Sequence, residues 1–358
     1  MEHVGIDLGA VKSHVVRMNE KGDVVERWAL RTRELESWLS RIKPSRVVME
    51  ACTQSTAVAR MARRLGHEAV IVSGTLVRAL GVGARGIKTD DRDAEVLARA
   101  SVRNETLPSV HLRSEPSAEK RGVIQARNRL VNCRRQCSTS IKSHLRSQLL
   151  SIRGRADRKA FASNVRELLQ TTPDGLPSYI ETLLKTFEFL TEQIDALEVE
   201  LSELAKNTEP CTKLMELPGV GPLVSLSFVT TIDDPSRFPN ADSLASFLTL
   251  VPGESTTGGN IHRTGTIHAG PKWLKALLVQ AAWVAWRSVP EEPMVQWAKS
   301  IGDKRGTRIA IVALARKLAT VMWAMWRRHE SYRPERAAST RPPSLAPTGS
   351  KMMATARP

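Results

Sequence analysis

The sequence predicts an α/β unit at the N-terminus followed by segments that are mainly helical. Three observations carry that expectation. Short apolar runs near the start are joined first by tight turns and then by amphipathic stretches, the signature of a mixed sheet with helices on its faces. Two long stretches in the middle carry apolar residues at helical spacing with few breaks. The rest is helical in pattern, punctuated by Gly and Pro. The expected division is 1–115 as the α/β unit and 116–206 as a basic helical, coiled-coil-like linker. A mainly helical domain over 207–330 and a disordered basic tail over 331–358 complete it.

Composition limits the partners. Lysine and arginine number 53 against 37 acids in 358 residues, a formal net charge of +16. An excess of that size points to a polyanion, most simply nucleic acid. A membrane is the competing partner, but no run reaches the ~18 uninterrupted apolar residues of a span. No signal peptide is expected, because Met1-Glu2-His3-Val4-Gly5 leads straight into a strand. Cys52, Cys133, Cys137 and Cys211 form no CxxC pair and no zinc spacing, and read as reduced thiols of a cytoplasmic protein.

In chain order, Val4 to Gly9, Ser13 to Met18 and Asp23 to Arg31 read as strands, the last two joined by the turn Asn19-Glu20-Lys21-Gly22. A helix is expected from Arg33 to Ile42, a strand from Arg46 to Ala51, a helix from Thr56 to Leu65 and a strand from Ala69 to Ser73. The run Lys88-Thr89-Asp90-Asp91-Arg92-Asp93-Ala94 then opens another helix. Acids in a first turn favour the helix dipole, so capping is the plain reading. Asp90 and Asp93 are also three apart and project from one face. Asp7 and Glu50 each interrupt an apolar strand, which is costly unless the acid is paired or binds a cation. Acids on two strands and this helix could meet at one end of the sheet, in an all-oxygen site suited to Mg²⁺ or Mn²⁺.

From Ala118 to about Ile152 the pattern is helical and basic, with Lys120, Arg121, Arg127, Arg134 and Arg135 among cations that have almost no acids beside them. Phosphate-backbone contact is the favoured reading over a solvated face. A near-heptad stripe from Ser178 to Lys206 suggests an antiparallel coiled coil or a dimer contact, with burial inside one subunit equally open. Leu217-Pro218-Gly219-Val220-Gly221-Pro222 looks like the turn of a helix-hairpin-helix, in which Gly219 and Gly221 would bring backbone close to phosphate; a tight interhelical turn is the alternative. Val251 to Asn260 reads as a Gly-rich loop holding Ser255, Thr256 and Thr257, with His262, Arg263, His268 and Lys272 after it. A nucleophilic hydroxyl needs such exposure and nearby positive groups, although most such clusters are plain turns. The tryptophans from Trp273 to Trp326 read as packing.

Ile6-Asp7-Leu8-Gly9, Val48-Met49-Glu50-Ala51 and Lys88-Thr89-Asp90-x-x-Asp93-Ala94 resemble the three motifs of the DEDD transposases of bacterial insertion sequences, the insertion-sequence family one-ten, also called bridge recombinases. Leu217 to Trp286 resembles the family's C-terminal domain. The resemblance implies a RuvC-like, RNase H-type N-terminal fold and a metal-binding quartet of Asp7, Glu50, Asp90 and Asp93, with Asp91 outside it. It also implies a catalytic serine in the Gly-rich loop. The family often places that serine where this chain has Thr256 or Thr257, so Ser255 is the first choice and the two threonines follow. The implied activity is Mg²⁺- or Mn²⁺-dependent strand exchange between donor and target DNA through a serine–DNA link, guided by an element-encoded bridge RNA. A homo-oligomer, dimer or tetramer, is implied by a site composed from two subunits, in a cytoplasmic, nucleoid-associated setting without membrane. The alternatives are a RuvC-like metal-dependent nuclease, which needs no serine, and a non-catalytic nucleic-acid-binding scaffold.

Overall fold

A computed structural model describes residues 1–79, 90–103, 106–152, 160–173, 175–257, 260–266 and 270–335. The chain divides between Arg113 and Ser114 into two compact units.

In the first unit the elements are β1 (Glu2–Asp7), β2 (Lys12–Met18), β3 (Val24–Arg31), α1 (Leu35–Leu39), β4 (Ser45–Glu50), α2 (Ser55–Arg64), β5 (Glu68–Val72), α3 (Gly74–Ala79) and α4 (Asp90–Arg103). The sheet order is β3-β2-β1-β4-β5. The hairpin-linked strands pair antiparallel and β1, β4 and β5 pair parallel, so the expected mixed sheet is present. Alternation along each strand sorts its side chains between two layers. Val4, Ile6, Val15, Val47, Met49 and Ile71 pack on α1 and α2. Val48, Val70 and Val72 pack with Leu97 and Ala100 of α4 and Val77 of α3, while Val16 and Met18 meet Ala94 and Ala98.

One contact sets how α4 lies on the sheet. A Cβ on Gly5 would stand 2.0 Å from the Ala94 carbonyl oxygen and 2.6 Å from the Ala98 nitrogen. The helix backbone therefore rests directly on β1, which only glycine allows. Toward the other end of α4, the Ser101 hydroxyl and His3 Nδ1 are hydrogen-bonded at 2.8 Å. The helix thus runs antiparallel to β1.

The second unit begins with α5 (Glu115–Ser147), capped by the Ser114 hydroxyl, which accepts from the Ser117 N–H. There follow α6 (Phe161–Gln170), α7 (Ser178–Lys206), α8 (Glu209–Leu214), α9 (Pro222–Ile232) and α10 (Ala241–Phe247). A two-stranded antiparallel ribbon, β6 (Pro252–Thr257) and β7 (Asn260–Thr266), precedes α11 (Lys272–Ser288), α12 (Pro293–Arg305) and α13 (Thr307–Arg328). The apolar stripe of α7 is spent within the chain. Phe187 and Leu184 join Ile141 and Leu145 of α5 and Val165 and Leu169 of α6 in one cluster. Arg127 bonds Glu198 and Arg134 bonds Thr191, so α5 and α7 lie antiparallel.

The larger core gathers α8, α9, α11, α12 and α13. α13 is long and apolar enough by length and composition to cross a membrane, yet Leu314, Leu318 and Met322 are all fully buried in this core. The expected disordered tail starts out docked, because the Tyr332 N–H donates to Glu216 at 2.8 Å and its hydroxyl donates to Glu292. Residues 336–358 lie outside the described residues.

Two glycines test this packing in opposite directions. Gly5→Ala is expected to lower stability by about 1–3 kcal/mol, because backbone rather than a side-chain tip must move. Gly122 of α5 has open space around it, so Gly122→Ala is expected to raise stability by roughly 0.5–1 kcal/mol through helix propensity. Thermal melts of both variants check the signs.

Candidate active site

Asp7 and Glu50 are the last residues of β1 and β4, two neighbouring parallel strands. The register pairs Ile6 with Met49, so the next step brings Asp7 beside Glu50. Aligned residues share a face, and adjacent strands lie about 4.8 Å apart. That face is identified by its neighbours two residues back: Gly5 under α4, and Val48 against Leu97 of α4. Both carboxylates therefore stand on the α4 side at the same end of the sheet.

The level of α4 follows from the same contacts. Ser101 is opposite His3 and Ala94–Ala98 opposite Gly5. Two residues further along β1, about 6.6 Å, match roughly one turn of helix, which brings Asp7 level with the first turn of α4. That turn carries Asp90, Asp91 and Asp93. Asp93 is buried on the inner face of the helix, whereas the Asp90 and Asp91 side chains are 64% and 62% exposed.

His14, which the sequence reading did not single out, links these parts. It is the register partner of Asp7 across the β1–β2 hairpin. Its Nδ1 donates to Asp91 Oδ1 at 2.5 Å, and its Nε2 lies 3.7 Å from Asp90 Oδ2. A carboxylate only accepts, so the Nδ1 position carries a proton. Asp91, expected to be solvated or capping, is half of this contact. The signal was available: counting back through an antiparallel hairpin from Asp7 reaches His14. Glu50 is seated against Gly74, where a Cβ would come within 2.5 Å of its Oε1.

The donor set is chemically suited to a hard divalent cation, being made of carboxylates. Its arrangement is not that of a closed coordination shell. Among the described residues no three Asp, Glu, His or Cys groups are gathered closely enough to hold a metal ion. Lys88 and Thr89 lie outside the described residues.

In the second unit the expected Gly-rich loop is a β-ribbon over most of its length. Thr257 pairs with Asn260, Thr256 with Ile261, Ser255 with His262 and Glu254 with Arg263. The β-branched run on either side of a Gly-Gly step favours strands over open loop. Gly258, Gly259 and His268 lie outside the described residues. Gly219 has a packing reason: at φ +80° a Cβ would stand 2.2 Å from the Ala281 carbonyl of α11. Around Gly221, the N-cap of α9, space is open.

The cations expected to grip phosphate divide in two. Lys120 donates to Thr208 at 2.9 Å, and Arg121 to Thr231 at 3.4 Å, with burial lowering the Arg121 pKa. Arg127 bonds Glu198 twice, and Arg134 is buried with its guanidinium 5.9 Å from the centre of the Phe187 ring. These four hold α5 to its neighbours. Arg129, Arg135, Lys142 and Arg146 are the exposed cations of the helix.

The chain pairs a carboxylate-bearing α/β unit with a basic helical unit, and comparison with known proteins places it among DNA transposases, which are enzymes. The chain belongs to the IS116/IS110/IS902 transposase family. The family's DEDD transposase model matches residues 4–149, and the model described as "Transposase IS116/IS110/IS902 family" matches residues 211–294. Among its relatives, a probable family 20 transposase of Pseudomonas aeruginosa is 26% identical, with 93% of this chain and 99% of the relative covered. The transposase of insertion sequence element IS1328 from Yersinia enterocolitica is 27% identical, covering 90% and 96%. That of IS1111A from Coxiella burnetii is 27% identical, covering 92% and 91%.

Arg134→Ala is expected to cost about 1–3 kcal/mol, since it removes a buried charged hydrogen-bonding group from the α5–α7 contact. Arg135→Ala should stay within ~0.5 kcal/mol of the parent. Denaturant unfolding of the two variants distinguishes neighbours in sequence that differ in burial.

Proposed function

We propose that the chain catalyses DNA strand cleavage and exchange for the excision and insertion of a mobile element, with an RNase H-like, RuvC-type N-terminal unit. What supports this reading is that Asp7 and Glu50 end neighbouring strands at one end of the sheet, level with the first turn of α4, in a chain of this transposase family. Asp7, Glu50, Asp90 and Asp93 are the residues that would hold Mg²⁺ or Mn²⁺. Bound divalent ions would supply charge neutralisation at the scissile phosphate and stabilisation of the leaving oxygen.

The chain's own residues do the rest. Asp7 and Glu50 are fixed by sheet register, and the seat of α4 on Gly5 brings the turn that carries Asp90 and Asp93 level with them. His14, through Asp91 and Asp90, orients the exposed side of that turn. Ser255 acts as the nucleophile: its Oγ bonds to phosphorus, the P–O3′ bond breaks, and the serine proton ends on the released 3′-hydroxyl. Thr256 and Thr257 are the alternative hydroxyls. Pairing in a ribbon holds this stretch in a defined register, which suits attack on one phosphate better than a loose loop does.

Sequence choice is assigned to a bridge RNA that pairs with donor and target DNA, while the protein grips backbone. Gly221, Arg263 and the exposed cations Arg129, Arg135 and Arg146 are the proposed contacts, in a homo-oligomer whose acids and serine come from different subunits. A cytoplasmic, nucleoid-bound setting accompanies this role.

Labelled donor and target DNA, Mg²⁺ and the element's RNA test the chemistry. The parent protein should form a covalent protein–DNA adduct, and Ser255→Ala and Asp7→Asn should each reduce it by at least about 100-fold. Cleavage without an adduct that survives Ser255→Ala would point to a nuclease. No ion-dependent chemistry and no effect of Asp7→Asn would leave a binding scaffold. In a separate binding titration, Arg129→Ala and Arg135→Ala should each make the dependence of log K on log salt shallower by about 0.9.

A further inference from the structure

α12 and α13 form a hairpin whose tip has no role so far. A single residue, Gly306 at φ +88° and ψ 149°, is at once the C-cap of one helix and the N-cap of the other. The hairpin is braced behind the tip. Gly302 leaves room for the Trp286 ring, 3.3 Å from where its Cβ would be, and for Ala310 at 3.4 Å. Lys317 of α13 lies 5.0 Å from the centre of the Trp297 ring of α12. Asp303 to Ile309 are all exposed, so the tip projects from a buried, rigid base.

Its charge is lopsided. Lys304, Arg305 and Arg308 face solvent with Asp303 as the nearest acid in sequence. Lys304 and Arg305 suit the last turn of α12, where cations are favoured. Arg308 does not fit that explanation, because it stands in the first turn of α13, which has no acid and no side-chain cap. Three exposed cations within five residues, set against the single acid Asp303, give the tip a locally positive surface that suits a polyanion. The two family models end at residues 149 and 294, before the tip of this hairpin, so neither assigns the tip a role.

We propose that the α12–α13 tip is a contact to the phosphate backbone of duplex DNA, made by Lys304, Arg305 and Arg308 outside the catalytic site. No aromatic side chain stands at the tip to stack on an unpaired base, which favours backbone contact to a duplex over single-strand capture. A rigid hairpin presents its charges without the entropy cost of ordering a loop.

The test is a binding titration of the full chain with a labelled random-sequence DNA duplex in EDTA, from about 50 to about 200 mM salt. The triple variant Lys304→Gln, Arg305→Gln, Arg308→Gln should bind roughly tenfold or more weakly, with the log–log salt slope shallower by about 2–3, and should melt at the parent's temperature. Unchanged affinity and slope would overturn the proposal. So would a loss seen only with an RNA duplex of the same sequence. Because no ion and no strand cleavage enter this assay, failure of the serine or carboxylate chemistry would leave its result standing.

Discussion

The seat of α4 on Gly5 is the constraint on which the carboxylate-bearing end of the first unit depends. A helix normally approaches a sheet through two layers of side chains, about 10 Å away. Here the Ala94 carbonyl occupies the space of a missing Cβ. Once that level is set, the position of Asp90–Asp93 against Asp7 is a matter of rise per residue rather than of loop choice. Parallel pairing of β1 and β4 sets Glu50 beside Asp7 by a second rigid rule, that of register. Positions imposed by backbone geometry suit a cluster of like charges, which side-chain packing alone would push apart.

The second unit uses the same device. Gly219 admits the backbone of α11, and Gly302 admits a tryptophan ring. Each glycine sits where two elements cross closely, and each stands next to a feature with chemical potential: the turn that opens α9, and the basic hairpin tip. The cost of glycine in the unfolded chain is thus met at places where precise spacing matters.

Much of this was legible in the sequence. Short apolar runs bounded by turns mark the five strands of the sheet, and the acids that end β1 and β4 stand out because ionised groups are costly in apolar runs. His14 was not singled out, because its meaning comes from a register partner and from a helix far along the chain. The ribbon at Ser255 looks like a loop in sequence, since glycine and hydroxyl content outweighs the β-branched residues around it. The basic residues of α5 illustrate a more general limit. Lys120, Arg121, Arg127 and Arg134 look the same in sequence as Arg129 and Arg135. Which of them turn inward is decided by the rotation of α5 against α7 and α9, and by Glu198, Thr191, Thr208 and Thr231 waiting there.

That sorting changes what the net charge of +16 means. Part of the excess is internal, spent on hydrogen bonds, ion pairs and aromatic faces such as Arg134 on Phe187 and Lys317 on Trp297. A buried cation of this kind is held by short-range contacts that salt screens weakly. Other cations stay exposed, among them Arg129, Arg135, Lys142 and Arg146 along one helix, and Lys304, Arg305 and Arg308 at one tip. Screening acts on exposed cations in full, so the salt dependence of nucleic-acid binding reports the exposed lysines and arginines that meet the polyanion and not the buried ones. A basic composition therefore announces a polyanionic partner, but only burial says how many charges meet it.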